Sequence, residues 1–392
     1  MEINIIIIGA GMYVCGKGTS EFGTILPALY EWKRAGKALG QIHICGTTTE
    51  SACEVERRSK ILSKKFNEKL QIYVHPQNDK INTNSYLSVL SKVPHPVCAI
   101  IVVPDHLHHN IIAKCLKKAL HTLVVKPFVT NVNDAKELIS IQNQYNVYGA
   151  VEYHKRFDKS NLKLRDILRD GKIGDPLYFI VEYSQRKSIP SEIFTSWVEK
   201  TNIFQYLGIH YVDIIYFSTN ATPIRAMATG QNGWLKAHGI NAFDAVHGTI
   251  EWKNQSDKSF YSYIFTNWID PNCTSAMSDQ KIKVIGTKGR YESDQKYRGI
   301  KIITEDNGIE EPNPDFCSPY FLNSEAISYK GYGIKSIHTF IEDVICLYQN
   351  RCTIKELENK RPTFTDAIPS TAVIEAVNKS LKKNGIWENV IY

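Results

Sequence analysis

The nine cysteines of this 392-residue chain form no C-x-x-C pair and no cluster with the spacing of metal ligands. A disulfide framework or a zinc site is therefore not expected, and we predict no bound metal. Scattered cysteines of this kind are typical of a reducing compartment, so the expected location is the cytoplasm.

The sequence also lacks long runs of one residue class. The N-terminus has no positively charged segment, and its apolar run is too short to span a bilayer. Lysine and arginine occur in no block longer than a pair, although the formal net charge is +7. We therefore expect neither a membrane nor a nucleic acid as a partner. The length is sufficient for two domains of ordinary size.

Strand-like apolar runs alternate with helical patterns in the first part of the chain. Residues 3–8 are almost entirely isoleucine, as in a strand buried on both faces. Further strands are predicted at 41–45, 97–103, 122–125 and 148–151, and helices at 24–35, 110–119 and 132–144. This alternation predicts that residues 1–150 form a Rossmann-type domain, a doubly wound parallel sheet that binds a dinucleotide.

A glycine-rich turn follows the first predicted strand. Gly9 and Gly11 let backbone N–H groups approach a phosphate closely. The third glycine of the dinucleotide fingerprint is replaced by Val14, and the loop continues to Gly23. The match to the fingerprint is therefore incomplete, and the long loop is an addition to it.

The second predicted strand lacks the acid that holds the ribose 2′-hydroxyl of NAD at its end. Thr47 and Thr48 stand there instead, with Arg57 or Arg58 as charge partners for a 2′-phosphate. This composition favours NADP over NAD. The alternative is an ordinary polar turn, with both arginines on the outer face of a helix.

A lysine ends the strand predicted at 122–125. Pro127 stops that strand, which leaves Lys126 at its carboxyl end, where ligands bind in open α/β sheets. A lysine in this place can hydrogen-bond a substrate hydroxyl and stabilise charge on its oxygen.

The second part of the chain has long strand patterns without intervening helices. These strands are predicted at 176–183, 224–229, 245–252, 260–268, 281–285 and 299–304. Residues 151–392 are therefore predicted to form an α+β domain with a large, mostly antiparallel open sheet. A helix predicted at 203–217 carries Tyr206, His210 and Asp213 at a spacing that places them on one face.

Aromatic residues along one of these strands indicate how the protein assembles. Tyr261, Tyr263, Phe265 and Trp268 are predicted to lie on a sheet whose second face needs a cover. Two amphipathic helices, at 336–348 and 366–382, are too few to supply it. We expect a homodimer or homotetramer that associates through this sheet.

Six short motifs occur in order along the chain. They are G-A-G at 9–11, P-D-H-L-H at 104–108, V-K-P at 125–127, R-F at 156–157, G-I-H-Y-V-D at 208–213 and G-T-K-G-R at 286–290. With these motifs the chain resembles the glucose-fructose oxidoreductase/inositol dehydrogenase/MocA family over nearly its whole length.

The resemblance implies an oxidoreductase that transfers a hydride between NAD(P) and a hydroxyl or keto carbon of a sugar, nucleotide-sugar or cyclitol. It implies that Lys126 orients the substrate and the nicotinamide and that His210 donates or accepts the proton, which suits imidazole chemistry. Tyr206 stands where the family has an aspartate, and it is expected to bind a sugar hydroxyl or to share the proton chemistry. The expected cofactor contacts are Gly9, Gly11, Met12, Tyr13, Thr47, Thr48, Pro104, His108 and Lys126. The expected substrate contacts are Tyr153, His154, Arg156, Trp197, Tyr206 and Asp213.

The chain departs from the family at several of these positions. Val125 replaces a glutamate beside Lys126, and K-T-N at 200–202 replaces a glycine-rich loop. Two alternative functions remain open. One is a cofactor-binding sensor without turnover, which the missing third glycine, Val125 and Tyr206 support and the retention of Lys126 and His210 opposes. The other is an NAD-dependent glycoside hydrolase, since the family includes such enzymes.

Overall fold

The computed structural model describes residues 1–78, 80–323 and 326–392. The chain divides into two compact units. The first unit consists of residues 1–128, 135–154 and 315–366, and the second of residues 129–134, 155–314 and 367–392. The chain thus passes between the units several times, whereas the division predicted from the sequence has a single boundary at residue 150.

The first unit is built on a six-stranded parallel sheet. Its strands are β1 (Asn4–Ile8), β2 (Ile42–Cys45), β3 (Ile72–His75), β4 (Val97–Ile101), β5 (His121–Val125) and β6 (Gly149–Glu152). The helices are α1 (Met12–Cys15), α2 (Ile25–Arg34), α3 (Thr49–Phe66), α4 (Ser85–Leu90), α5 (His108–Leu116) and α6 (Val132–Gln144). In the strand order β3-β2-β1-β4-β5-β6, the chain adds β2 and β3 on one side of β1 and β4 to β6 on the other. Ligands bind at such a topological switch point. The predicted doubly wound sheet is confirmed, and β3, α1, α3 and α4 are elements that the sequence did not predict.

The second unit contains a larger, mixed sheet. Its elements up to residue 310 are α7 (Lys159–Arg169), β7 (Pro176–Arg186), α8 (Ile209–Thr219), β8 (Thr222–Gln231), α9 (Trp234–Ala237), β9 (Ala245–Lys253), β10 (Ser259–Asp270), β11 (Ser278–Gly286), β12 (Gly289–Asp294), β13 (Ile302–Thr304) and β14 (Gly308–Glu310). Short helical turns occupy Asp105–Leu107, His154–Phe157, Ile189–Ile193, Val198–Lys200 and Phe204–Gly208. The strand predicted at 299–304 lies outside the large sheet, because β13 pairs only with β14 in a separate hairpin.

The next segment of the chain belongs to the first unit. It contains β15 (Ser318–Phe321), β16 (Ile327–Lys330), α10 (Tyr332–Tyr348) and α11 (Ile354–Glu358). The apolar face of α10, with Ile337, Ile341 and Val344, is buried in the same core as Leu26 and Leu29 of α2. Residues 315–366 therefore complete the core of the nucleotide-binding sheet, although the sequence division assigned them to the second domain.

The chain ends in the second unit with α12 (Ile368–Lys382) and β17 (Glu388–Asn389). The large sheet has the order β12-β11-β7-β10-β9-β8-β17, and its neighbours are antiparallel except for the parallel pair β7 and β10. This confirms the predicted, mostly antiparallel sheet. Side chains alternate along β10: Ile264 is buried, whereas Tyr263 and Phe265 are 37% and 41% exposed. Trp268 is fully buried, so its predicted place on the open face is wrong.

Candidate active site

The glycine turn after β1 is shaped for a close approach to a ligand. Gly9 has a φ of +124°, and a Cβ atom there would lie 2.0 Å from the carbonyl oxygen of Val102. Only glycine fits that position. A Cβ atom at Gly11 would meet nothing within 4 Å, so the backbone there faces open space. The turn therefore has the form that a pyrophosphate group requires, and the residues present fit a dinucleotide.

The helix that follows this turn is interrupted by the long loop. α1 contains only Met12–Cys15 and ends at Gly16, which has a φ of +77°. Helical structure resumes at Ile25. Arg58 of α3 binds this loop, because its guanidinium donates to the carbonyl oxygens of Thr19, at 2.8 Å, and Glu21. The loop is thus an ordered insertion beside the glycine turn.

Arg58 has a role different from the predicted one. It forms a 2.5 Å ion pair with Glu54, and its side chain is only 9% exposed. Arg57 also pairs with Glu54, at 2.8 Å. One carboxylate therefore binds both arginines that were expected to face a 2′-phosphate.

The two threonines after β2 differ in their environment. Thr48 is the N-cap of α3: its hydroxyl accepts a 3.1 Å hydrogen bond from the backbone N–H of Ser51. Thr47 is exposed and follows Cys45 and Gly46 without an acid between them. Thr47 is thus the better placed of the pair to meet a ribose substituent.

His108 fixes the turn that carries Lys126. Its ring is fully buried, and Nδ1 lies 2.8 Å from the carbonyl oxygen of Pro127. The Nε2 atom lies 3.0 Å from the carbonyl oxygen of Val103, in the loop before Pro104. Burial lowers the pKa of this imidazole. His108 therefore joins the ends of β4 and β5, and the geometry favours a positioning role over a direct cofactor contact.

Lys126 stands directly after β5, at the carboxyl edge of the sheet. Burial lowers its pKa from 10.5 to about 7, against the opposing effect of the Asp105 and Glu152 carboxylates. A lysine in this state exchanges a proton readily near neutral pH. An ammonium group there can donate a hydrogen bond to a substrate oxygen.

Glu152 is a residue that sequence reasoning missed. It ends β6 and is only 2% exposed, and its Oε2 atom lies 2.9 Å from Nδ1 of His154. The His154 ring packs between Tyr13, at 6.2 Å, and Tyr332 from α10, at 5.8 Å. The structure thus brings together Tyr13 and His154, which were predicted separately. The signal for Glu152 was present, since an acid at the end of a buried strand beside β5 has few other reasons to be there.

Two other predicted residues of the first unit have simpler environments. Met12 lies in the short helix after Gly11, next to the glycine turn. Tyr153 is almost fully buried, with its ring in the core.

In the second unit, the helix that carries His210 does not begin as predicted. Residues Phe204–Gly208 form a wider π-helical turn, and regular α-helix starts only at Ile209. Because a π-turn advances each residue by a smaller angle, Tyr206 does not share a simple i, i+4 face with His210. His210 is 3% exposed, and its ring lies 6.2 Å from that of Tyr183.

Tyr206 belongs to an aromatic cluster. Its ring lies 5.1 Å from Phe194, 6.0 Å from Trp197 and 6.3 Å from Trp268. The structure therefore brings together the predicted residues Tyr206 and Trp197, and it adds two that were not predicted. Rings that remain partly accessible, as those of Tyr206 and Trp197 do, are common in pockets for small organic ligands.

Arg156 and Asp213 form a buried ion pair. The guanidinium donates to both carboxylate oxygens, at 2.9 and 2.5 Å, and the two side chains are 8% and 1% exposed. Both were predicted as substrate contacts. The bidentate geometry instead favours a structural role, which fixes α8 three residues after His210.

Residues 1–78, 80–323 and 326–392 contain no group of three or more His, Cys, Asp or Glu side chains that could hold a metal ion. No described helix combines the length and the hydropathy that crossing a bilayer requires.

Comparison with known families decides the classification. Residues 3–153 match the model described as an oxidoreductase family with an NAD-binding Rossmann fold, and residues 161–292 match the GFO/IDH/MocA C-terminal domain. This chain belongs to the Gfo/Idh/MocA family. The family expected from the motifs is thereby confirmed, and this Gfo/Idh/MocA protein is an oxidoreductase whose first sheet binds NAD(P).

The individual relatives are distant. The chain is 22% identical to the myo-inositol 2-dehydrogenase of Thermotoga maritima over 259 residues, which covers 64% of this chain and 70% of that protein. It is 22% identical to the scyllo-inositol 2-dehydrogenase (NADP(+)) of Bacillus subtilis over 160 residues, or 39% of this chain and 42% of that one.

Solved structures share the fold of this Gfo/Idh/MocA protein over its full length. The scyllo-inositol dehydrogenase of Lactobacillus casei, solved with NAD(H) and scyllo-inositol bound, aligns with a TM-score of 0.67. The alignment covers 100% of this chain and 99% of that one, at 16% sequence identity. At this identity the comparison supports the fold and leaves the substrate to other arguments.

Proposed function

We propose that the protein is an NAD(P)-dependent dehydrogenase that acts on a secondary hydroxyl of a cyclitol or sugar. The observation that carries the proposal is the place of Lys126, directly after β5 at the carboxyl edge of an NAD-binding sheet. The direction of its pKa shift, downward through burial to about 7, is consistent with this place. A strand-end lysine in water would keep its ordinary pKa. The shift indicates a group prepared for proton-linked chemistry.

The residues divide the reaction between them. The Gly9–Gly11 turn would hold the pyrophosphate of the cofactor, which would supply the hydride acceptor. The Lys126 ammonium donates a hydrogen bond to the reacting oxygen and stabilises its negative charge. His210 accepts the hydroxyl proton, since imidazole titrates in the range where the reaction needs a base.

The aromatic cluster supports a polyol as the substrate. Tyr206 and Trp197 offer partly accessible ring faces, and Tyr206 also has a hydroxyl that can bind a substrate hydroxyl. The relatives named as inositol dehydrogenases act on inositols, which are ring-shaped polyols. Arg156 is committed to Asp213, so we infer a neutral substrate in preference to an acidic one.

We further propose that NADP(H) binds more tightly than NAD(H). The strongest support is the absence of an acid after Cys45, because a carboxylate there would repel a 2′-phosphate. Thr47 offers an exposed hydroxyl at the same place. Arg57 and Arg58 support the preference less than their sequence positions imply, since Glu54 neutralises part of their charge. Equal dissociation constants, or tighter NAD(H) binding, would refute this preference.

The proposed function is tested by following nicotinamide absorbance with a panel of inositol isomers and free sugars, offered with NAD⁺ and with NADP⁺. We expect net cofactor reduction with at least one polyol. A protein that binds the cofactor but does not reduce it with any compound of the panel would be a sensor. Hydrolysis of a glycoside without net cofactor turnover would identify a hydrolase.

A further inference from the structure

The strand next to Lys126 carries a carboxylate at an unusual place. β5 and β6 are parallel, and their register sets Val125 opposite Glu152. Directly paired residues of neighbouring strands project to the same face of a sheet. The side chain of residue 152 therefore leaves the sheet on the side, and at the level, of the side chain of residue 125.

Val125 is the position where the resemblance places a glutamate. An apolar residue there removes a negative charge from beside Lys126. The register restores one from the neighbouring strand, about one strand spacing, roughly 5 Å, away. A carboxylate on β6 thus stands at the strand position opposite Val125, next to the carboxyl end of β5.

The environment of Glu152 fits a charged partner. The residue is 2% exposed, and a buried carboxylate is costly unless a positive or hydrogen-bonding group meets it. Its Oε2 atom is bound by His154, at 2.9 Å. Among the described residues, its Oε1 atom has no hydrogen-bond partner of acceptable geometry. Half of the carboxylate thus remains able to accept from an ammonium group.

Tyr13 and His154 hold this carboxylate. Burial raises the pKa of the Tyr13 hydroxyl, and the Glu152 carboxylate raises it further, so the two groups lie near each other. The Tyr13 hydroxyl, like Oε1, has no partner of acceptable geometry in the described chain. The Tyr13 ring packs against that of His154. Residues from the glycine turn and from β6 therefore converge on one acid.

Two carboxylates act on Lys126 from different elements. Asp105 approaches from the turn after β4, and Glu152 from β6. His108 contacts only backbone carbonyl groups there, and Tyr13 and His154 act on Glu152 itself. We propose that Glu152 is, beside Asp105, a second acidic partner of Lys126, at the strand position opposite Val125, and that Tyr13 and His154 position its carboxylate.

The inference deepens the proposed function, since it assigns a positioning residue to the lysine on which that function rests. Together with Asp105, Glu152 raises the pKa of the lysine against the effect of burial, and so favours the ammonium form that donates to the substrate oxygen. Removal of the carboxylate should make the ammonium lose its proton at lower pH, because burial then acts with less opposition.

The test is an NMR titration of the cofactor-free protein with ¹³C-labelled lysine. The Lys126 signal is assigned by its absence in Lys126→Met. In Glu152→Gln we expect the Lys126 midpoint to fall by at least about one pH unit. Glu342→Gln is the matched control, because it removes an exposed carboxylate of the first unit that pairs with Lys37. A midpoint in Glu152→Gln that moves no more than in this control would overturn the inference.

A transplant variant tests the register argument and covers the case in which Glu152→Gln does not fold. Val125→Glu combined with Glu152→Val returns the acid to β5. We expect a folded protein whose Lys126 midpoint lies near that of the wild type. A transplant that does not fold, or whose midpoint is as low as expected without the carboxylate, would contradict the proposal.

The NMR readout is independent of turnover, which separates the two claims. If none of the polyols supports reduction of the cofactor, the proposed function is refuted. The Lys126 midpoint would still report on Glu152 in that case. If the protein is active, kcat/KM for polyol oxidation should fall on the alkaline side of its pH profile. In Glu152→Gln the midpoint of this fall should move to lower pH, and in the transplant it should return to the wild-type value. A purely structural role for Glu152 would lower activity at every pH without moving the limb.

Discussion

The ion pairs of the second unit and Lys126 in the first unit show two different environments for a charged group. In the second unit, Arg156 and Asp213 meet in a bidentate pair, and Arg298 binds Asp158 at 2.5 Å. Burial acts to raise the pKa of Asp158, yet its hydrogen bonds to Arg298 keep that pKa below the usual value. In the first unit, burial dominates at Lys126 and brings its pKa to about 7.

This difference separates charges that hold the fold from a charge that serves chemistry. A matched guanidinium–carboxylate pair stays ionised over the whole physiological range and fixes two elements relative to each other. A half-buried lysine with a lowered pKa can bind and release a proton where an enzyme works. We therefore expect substitutions in the two regions to have different consequences.

The largest effect is expected at His210. His210→Asn should lower kcat by roughly 10²–10⁴, because it removes the proposed general base while keeping a polar side chain of similar size. Cofactor affinity should be unchanged, since the Gly9–Gly11 turn lies in the other unit. Steady-state kinetics together with cofactor titration check both points.

Tyr206→Phe is the control for this assignment. We expect it to raise KM and to leave kcat nearly intact, because the tyrosine is proposed as a substrate contact. Loss of turnover in Tyr206→Phe, with His210→Asn still active, would make the tyrosine the acid–base group.

A second substitution tests the fold-holding pair. Asp213→Asn should lower the free energy of unfolding by about 3–5 kcal/mol, because it leaves the buried Arg156 guanidinium without its carboxylate. Denaturant unfolding measures this loss. Asp166→Asn, which breaks an exposed pair with Arg169, should cost at most about 1 kcal/mol. Equal costs for the two variants would remove the distinction drawn here.

The smallest effect concerns the open sheet. We propose that a second copy of the chain covers the face that carries Tyr263 and Phe265. Light scattering should return a mass of at least two chains, and Phe265→Lys should weaken the association. A mass near 44.6 kDa at micromolar concentration would contradict this assembly.

Local patterns predicted the parts of the fold that local physics determines. The isoleucine run of β1, the glycine turn and the strand before Lys126 follow from burial and from backbone geometry. The element against which α10 packs could not be predicted. The periodicity of an amphipathic helix indicates that one face is buried, but it does not identify the sheet or helix that covers this face. The strand β3 was missed because Ile72–His75 is short and only partly buried.

The candidate site was predicted unevenly for the same reason. Lys126 and His210 were predicted from their places in motifs, and their roles stay predictions. Glu152 was missed because its meaning depends on the register between β5 and β6, which sequence spacing does not give. The π-turn before α8 was missed because side-chain periodicity assumes a regular helix.

Lys126 is proposed to stabilise charge on the substrate oxygen, while most of the affinity for the cofactor would come from the Gly9–Gly11 turn. Lys126→Met keeps the length of the side chain and removes its charge, so the decisive measurement is kcat for polyol oxidation together with the cofactor dissociation constant. We predict that kcat falls by about 10²–10³ while the dissociation constant is unchanged. A variant that retains kcat within about tenfold, or that no longer binds the cofactor, would contradict the account.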